Sequence, residues 1–223
     1  MKPTLKALGY KRLKLEHGKL LSNYTFNFNL RRYSLDMLIW AREQGCPWED
    51  GEEEEEPDTG MHICALAARG GHLEVLKWLW EHDRPLDEQT CAAAAASGQL
   101  EVLQWARANY CPWGAATCAS AAKHGHLEVL KWAREHDCSW TETTCADAAD
   151  GGHLMVLQWA RAHGCPWDER TTANAALEGD LELLKWARAH DCPWDNRTRR
   201  FAAMFTGARH LELLRWAVEH GAP

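Results

Sequence analysis

Apolar residues recur along most of this chain at helical spacing, in short segments that Gly and Pro interrupt. Between residues 153 and 161, Leu154, Leu157 and Ala160 are three positions apart, and Val156 and Trp159 lie alongside them. This spacing places them along one side of an α-helix. Pro166 follows shortly after, and proline cannot continue a helix. The pattern predicts a short amphipathic helix with one buried side.

A second helix is predicted just before it. The run Thr-Thr-Cys-Ala-Asp-Ala-Ala begins at Thr143, and either Thr143 or Thr144 is the expected N-cap. Gly151 and Gly152 are expected to end this helix, because Gly tolerates the left-handed conformation of a helix stop. Helices this short are not stable alone. The helix–turn–helix unit therefore requires stacking against similar units.

The same unit recurs every 27 residues. Four series of residues share this period: Trp78, Trp105, Trp132, Trp159, Trp186; Trp113, Trp140, Trp167, Trp194; Cys64, Cys91, Cys118, Cys145; and Gly71, Gly98, Gly125, Gly152, Gly179. The period breaks at an acidic insertion between Trp40 and Trp78, and at three extra residues near Thr206 to Arg209. We predict a basic N-terminal capping segment at 1–33 and an array of about seven units at 34–223, with an acidic loop insertion at 49–58.

These units resemble ankyrin repeats. Residues 67–77 and 121–131 match the family pattern Ala-Ala-x-x-Gly-His-Leu-Glu-x-Val-Lys, and the match recurs with variation from about residue 34 to 223. The abundance of Trp and Cys and the Gly-Cys-Pro-Trp loop are similar to arrays of giant DNA viruses and of some algae and oomycetes. The resemblance implies an all-α, ankyrin-like helical repeat solenoid that acts as a protein-interaction scaffold.

Three features depart from that family. The family repeat has about 33 residues, so each 27-residue unit is shorter, and we expect very short return loops instead of projecting β-hairpins. The His that opens the family's first helix is replaced by Ala65, Ala92, Ala119, Ala146 and Ala173. Arg107, Arg134, Arg161 and Arg188 stand where the family buries Leu, and the Trp two residues earlier is expected to compensate.

The recurring Trp and Cys residues are interpreted as packing residues. Since neighbouring units stack about 10 Å apart, successive Trp rings are too far apart for face-to-face contact, and we expect them in the core. The alternative is an aromatic surface for ligands or nucleic-acid bases. The cysteines lack the compact paired spacing of structural zinc sites and are expected to be small buried thiols rather than disulfides or metal ligands.

No enzymatic activity is expected. His residues recur at the start and the end of the second helices, whereas an active site is singular; they are His72, His126, His153, His210 and His82, His136, His163, His190, His220. A cation at a helix C-terminus is favourable, which gives the latter set a structural role. No phosphate-binding loop or nucleophile–base arrangement is present in the sequence. We predict no cofactor and no metal.

The net charge of −7 disfavours general nucleic-acid binding, which requires surplus Lys and Arg. Residues 1–33 are the exception, with eight Lys or Arg and one acid. They could form a cap with a solvated face or an anion-binding or nuclear-import patch, and alternating residues at 24–30 also hint at a strand. The acidic run Glu52–Glu56 is expected to be a solvated loop. With no apolar run long enough to span a bilayer, we expect an intracellular monomer, cytoplasmic or nuclear.

The resemblance places the first helices on a concave face, and the sequence varies there from unit to unit. The predicted partner-binding residues are Leu66, Arg69, Ala93, Ser97, Ser120, Lys123, His124, Asp147, Asp150, Asn174, Leu177 and Glu178. Their charge runs from basic (Arg69, Lys123) to acidic (Asp147, Asp150, Glu178), which would orient a partner. The alternatives are a self-associating structural repeat protein and the substrate-recognition module of a ubiquitin-ligase adaptor.

Overall fold

The computed structural model describes residues 63–223 together with Ile39, which is helical. The predicted segment at 1–33, the acidic loop at 49–58 and the most N-terminal unit lie outside the described residues. Within 63–223 there are twelve helices and no strand, so the predicted all-α repeat fold is confirmed. They form six units of a first and a second helix: α1 Ile63–Arg69, α2 Leu73–Glu81, α3 Glu88–Ala96, α4 Leu100–Ala108, α5 Ala115–Lys123, α6 Leu127–Glu135, α7 Glu142–Asp150, α8 Leu154–Ala162, α9 Glu169–Leu177, α10 Leu181–Ala189, α11 Asn196–Ala202 and α12 Ala208–Glu219.

The first helix α7 begins two or three residues earlier than predicted. The N-cap of α7 is Thr141, whose hydroxyl accepts a hydrogen bond from the Thr143 backbone N–H. The predicted N-cap at Thr143 or Thr144 is therefore wrong, and Thr144 is fully buried inside the helix. Asp168 and Asp195 cap α9 and α11 in the same way. The capping oxygen belongs to the loop residue in extended conformation, where it can reach the free N–H groups of the first turn.

The two predicted glycines in the turn between the helices have different roles. Gly152 is needed for its backbone conformation, and Gly151 is needed because a neighbouring unit lies close to it. Gly152 has φ +69°, and the His153 N–H donates to the Ala148 carbonyl at 2.8 Å, as in a Schellman helix stop. Gly151 is right-handed. A Cβ at Gly151 would lie 2.0 Å from the Lys123 carbonyl oxygen, so this glycine permits close contact with the preceding unit.

The core of each layer consists mainly of Leu, Val and Ala, with buried Cys and Thr among them. In α8, Val156, Leu157 and Ala160 are buried, while Leu154 and Trp159 are only half-buried. The fully buried leucines recur at the repeat period: Leu103, Leu130, Leu157 and Leu184. They pack against first helices whose buried residues are mostly Ala. Trp is thus outside the core, because small and medium side chains already fill the space between closely packed helices.

Neighbouring first helices pack closely along the array, whereas neighbouring second helices make far fewer close backbone approaches. The first helices therefore form one closely packed side of the array, and the second helices form the other. The return loops are short, and in one of them the left-handed Asp137 (φ +62°) precedes the hydrogen bond from Cys138 N–H to the Ala133 carbonyl. No β-hairpin projects between the units within residues 63–223. In the last unit the break in period coincides with a longer second helix, since α12 has 12 residues and α10 has 9.

Candidate binding face

The predicted partner-binding residues all lie on first helices or on the residue that follows one. We call this solvent-facing side of the first helices the inner face. Arg69, Lys123, His124 and Glu178 are exposed; Leu66, Ser97, Ser120, Asp147, Asp150, Asn174 and Leu177 are half-buried. Ala93 is buried, at 6% exposure. Ala93 holds the outward position, but the expectation that it is exposed to a partner is wrong, because its short side chain lies below the level of its neighbours.

An ion pair joins two neighbouring units in the middle of the inner face. Lys123 Nζ lies 2.8 Å from Asp150 Oδ2, and the two side chains are 49% and 26% exposed. The hydrogen bond to Asp150 and its negative charge raise the pKa of Lys123, with smaller contributions from Asp147 and Glu178. The positive side chain of Lys123 thus lies beside the acidic residues of the inner face.

Asp147, like Glu178, lacks an ion-pair partner within the described residues. Burial raises the pKa of its carboxyl group, an effect that the charge of Lys123 opposes. Next to it, Asn174 Nδ2 donates to the Ala146 carbonyl at 2.9 Å and so connects α9 to α7. The Asp147 carboxylate is therefore half-buried and only partly compensated, which favours binding of an external positive or hydrogen-bond-donating group.

The predicted gradient from basic to acidic is modified by residues that the sequence analysis missed. One helical turn before the predicted positions, the inner face also carries Gln89, Ala116, Thr143, Arg170 and Arg197. Arg170 pairs with Asp168 at 2.8 Å, and Arg197 pairs with Asp195 at 2.8 Å and Glu169 at 3.2 Å. The supposedly acidic end thus contains two cations. The five added positions vary from unit to unit, whereas the next residue in each helix is a fully buried Thr: Thr90, Thr117, Thr144, Thr171 and Thr198. This contrast could have identified the five positions from the sequence.

On the opposite side of each unit, aromatic and basic side chains form a repeated set of contacts. The Arg134 guanidinium lies 4.2 Å from the Trp140 ring centroid and also donates to the Cys138 carbonyl. Trp140 contacts Trp159 of the next unit edge-to-face at 6.0 Å. The equivalent Arg–Trp pairs are Arg107–Trp113, Arg161–Trp167 and Arg188–Trp194, and the equivalent Trp–Trp pairs are Trp113–Trp132, Trp167–Trp186 and Trp194–Trp216. We call these residues, with the His that follows each helix Trp, the outer aromatic row.

The outer aromatic row corrects two predictions. No Trp within residues 63–223 is fully buried, so the expected core position of the Trp series is wrong. Arg134 is not compensated by Trp132, two residues earlier, but stacks on Trp140, six residues later. The terminal His has the predicted structural role: His163 Nδ1 bonds the Trp159 carbonyl at 2.8 Å, and the two rings stack at 4.3 Å. These contacts connect each return loop to the next second helix.

The cysteines are buried thiols, as predicted. All eight that lie within residues 63–223 are free and buried: Cys64, Cys91, Cys111, Cys118, Cys138, Cys145, Cys165 and Cys192. In this part of the chain no group of three or more His, Cys, Asp or Glu side chains is arranged to hold a metal ion. None of the twelve helices is long and apolar enough to cross a membrane.

Comparison with known proteins identifies the fold. No model of a known protein family matches the chain, and no curated protein is similar to it in sequence. Its structure is similar to the crystal structure of the human ASB11 ankyrin repeat domain, with a TM-score of 0.56 and 15% sequence identity over 72% of this chain and 84% of that chain. At this identity the similarity establishes the fold alone. The chain has the ankyrin-repeat solenoid fold.

Proposed function

We propose that the array binds a protein partner along the inner face. The observation that carries this proposal is a contrast between equivalent positions of successive first helices. The solvent-facing position is occupied in turn by Leu66, Ala93, Ser120, Asp147 and Asn174, while the fully buried position two residues later is Ala in every one of these helices. A constant interior beside a varied surface is typical of repeat arrays that present an extended binding surface.

The charges of the inner face indicate what the partner presents. Lys123 is paired with Asp150, and Arg170 is paired with Asp168. The charge of each cation is therefore largely neutralised by its own acidic partner. Asp147 is half-buried and Glu178 is exposed, neither has an ion-pair partner in the described residues, and both act electrostatically on Lys123. We infer that the partner places a Lys or Arg side chain beside Asp147, because a partly desolvated carboxylate gains most from an opposite charge.

Two charge-swapped variants test the proposal. The inner variant carries Lys123→Asp with Asp150→Lys, which preserves an ion pair but reverses the surface pattern around Asp147. The outer control carries Glu128→Lys with Lys131→Glu on α6, where the native pair is 2.7 Å apart. Each chain is immobilised and used to capture proteins from a eukaryotic lysate, and captured proteins are identified by mass spectrometry. The strongest candidate is then purified for titration calorimetry.

We expect a partner that binds the native chain and the outer control with equal affinity and the inner variant at least about ten-fold more weakly, which corresponds to about 1.4 kcal/mol. Equal affinity for all three chains would exclude the inner face as the binding surface. Replacement of Ala93 is unsuitable for this test, because a larger side chain at this buried position would disturb packing.

Self-association is a second candidate, and the last unit favours it. Met204, Phe205, Leu211 and Val218 are large apolar residues with 44% to 60% of their surface exposed. Exposed apolar groups that lie close together promote association. If the array self-associates through them, its mass by light scattering rises with concentration, and Leu211→Lys with Val218→Lys keeps it monomeric. A constant mass across concentrations would reject this candidate.

A further inference from the structure

The last unit leaves uncovered a side that the unit before it buries. Thr198 belongs to the fully buried Thr series, which fixes the register of α11 relative to the other first helices. The next two residues, Arg199 and Arg200, are both exposed. In α9 the same two positions hold Thr172 and Ala173, which are at most 1% exposed. Thr172 contacts the following unit, since its hydroxyl oxygen lies 3.4 Å from that of Thr198.

The second helix of the last unit is uncovered in the same way. Leu214, two residues before the helix Trp, is half-buried, whereas the leucines at this position of the five preceding second helices are fully buried. Leu211, five residues before the same Trp, is 50% exposed, and its equivalents are half-buried. We call Arg199, Arg200, Leu211 and Leu214 the end face. It lies where a further unit would stack.

The end face carries positive charge that no acid of the described residues neutralises. Residues 63–194 contain 11 Lys or Arg and 18 Asp or Glu, whereas residues 195–223 contain five Arg and three acids. Neither Arg199 nor Arg200 forms an ion pair within the described residues. A further unit of the same kind would bury both guanidinium groups, which is unfavourable unless acids pair with them. The end face is therefore suited to an acidic partner and not to another repeat unit.

Exposed apolar side chains distinguish the last unit from a merely protective cap. A terminal unit that only keeps the array soluble presents a polar outer side. Here Met204 and Phe205, which follow α11, are 60% and 44% exposed. The Phe205 ring lies 4.7 Å from the ring of His210, whose Nε2 is hydrogen-bonded to the Leu177 carbonyl at 3.0 Å. The last unit thus combines unpaired Arg with a held aromatic ring, and both residue types are enriched in protein interfaces.

The chain itself contains a segment of the opposite charge. Eight of the ten residues at 49–58, which lie outside the described part of the structure, are Asp or Glu. Two end faces in mutual contact would bring four Arg side chains together and repel each other. The acidic run Glu52–Glu56 would instead supply carboxylates to Arg199 and Arg200. Charge complementarity therefore favours the acidic run over a second end face as the occupant.

The acidic run is too far along the chain to reach the end face of its own copy. Its central residue, Glu54, precedes Ile63 of α1 by nine residues, which span at most about 30 Å when fully extended. Five unit steps separate α1 from α11, and at about 10 Å each they amount to about 50 Å. Only the end face of a second copy is within reach.

We propose that copies of this chain associate head to tail, with the acidic run Glu52–Glu56 of one copy bound to the end face of the next. This inference rests on the self-association candidate above and specifies the two surfaces that meet. The carboxylates of the run pair with Arg199 and Arg200. Because the two surfaces differ, the contact is heterologous, and every complex keeps one free acidic run and one free end face unless it closes into a ring.

The salt dependence of the mass tests the charged contact. The native full chain is measured by light scattering over a range of concentrations at about 50 mM and about 0.5 M NaCl, because salt screens exposed charges. We expect the mean mass to rise with concentration at low salt and to return to that of one chain at high salt. An equal rise at both salt concentrations would support apolar self-association and overturn the charged contact. A constant monomer mass at low salt would exclude a second copy as the occupant.

Charge reversal of each surface provides the decisive comparison. The end variant carries Arg199→Glu with Arg200→Glu, and the run variant carries Glu52→Lys, Glu53→Lys, Glu54→Lys, Glu55→Lys and Glu56→Lys. Each variant alone should associate at least about ten-fold more weakly than the native chain, because its own two surfaces now have the same sign. An equimolar mixture of the two should regain association, since each supplies the opposite charge that the other needs.

The matched control has the same change in net charge as the end variant but places it on second helices: Lys131→Glu with Lys185→Glu. It should associate like the native chain, and circular dichroism verifies that every variant is folded. Native-like association of the end variant, loss of association in the control, or a mixture that stays monomeric would overturn the proposal.

Discussion

The inner face and the outer aromatic row belong to the same six units, yet they differ in how they repeat. Along the outer aromatic row, the distance from Arg to the Trp ring is 4.4, 4.2, 4.1 and 4.3 Å in four successive units. On the inner face, the Lys123–Asp150 pair has no equivalent in the neighbouring units within the described residues. The comparison indicates that one side of the array maintains the stacking, while the other side is free to vary.

The reason lies in the number of groups that fix each side chain. Trp140 in the outer aromatic row contacts both Arg134 of its own unit and Trp159 of the next one, so its replacement breaks contacts on two units. An inner-face residue has solvent on one side. Exchanging it removes at most one or two contacts, which typically changes the free energy of unfolding by less than about 0.5 kcal/mol. Three predictions follow from this contrast, and the first has the largest expected effect.

Trp159→Ala should lower the free energy of unfolding by about 2–3 kcal/mol, because it removes the contacts with Trp140 and His163 and leaves a gap between two units. Chemical denaturation monitored by circular dichroism measures this loss. Met155→Ala on the same helix is the control, since Met155 is 73% exposed and should change stability by less than about 0.5 kcal/mol. Equal losses for the two variants would show that the outer aromatic row does not stabilise the array.

Arg134→Lys should cost about 1 kcal/mol although the charge is retained. Lys cannot reproduce the planar guanidinium that stacks on Trp140 while donating to the Cys138 carbonyl. The midpoint of urea denaturation at constant slope gives this difference. The matched control is Lys131→Arg, one turn away in an exposed pair with Glu128, where the expected change is close to zero. A stability of Arg134→Lys equal to that of the native chain would contradict the role assigned to the guanidinium.

Asp147→Asn should have the smallest effect, and its sign depends on pH. Burial raises the pKa of Asp147 in the folded chain above its unfolded value, so protonation stabilises the fold below the unfolded pKa, and this stabilisation is lost as pH rises through the folded pKa. The neutral Asn avoids the loss. Because Asp147 is half-exposed, we expect a gain of only about 0.3 kcal/mol at pH 7, which disappears below about pH 4. Thermal unfolding of both chains at several pH values tests this, and a destabilised variant at pH 7 would refute it.

The repeat period allowed most of the fold to be predicted. The positions of the second helices, the left-handed Gly152 and the short return loops all follow from residues that recur every 27 positions. The N-cap of α7 was misplaced because Thr141, Thr143 and Thr144 are all chemically able to cap a helix. Only the conformation of the loop decides which of the three hydroxyls faces the free N–H groups.

The candidate binding residues were predicted less completely than the fold, because variation at a position does not show whether its side chain is exposed or which residue it contacts. Lys123 and Asp150 were identified separately, but their pairing across two units depends on how the first helices align. Ala93 varies in sequence and is nevertheless buried, since a short side chain at an outward position remains below the level of its neighbours. Arg170 and Arg197 were missed because they are equivalent to Thr143, which the sequence analysis assigned to the helix cap instead of the helix surface.

The sequence by itself determined the repeat, the two helices of each unit, the buried Ala and Leu positions and the burial of the thiols, because these depend on local periodicity and on residue size. The tertiary structure alone decided which side chains of different series meet: Arg134 with Trp140, Trp140 with Trp159, and Lys123 with Asp150. Those contacts depend on the angle and spacing between stacked helices. A period of 27 residues fixes that two positions are equivalent, but it does not fix the distance between two side chains that belong to different series.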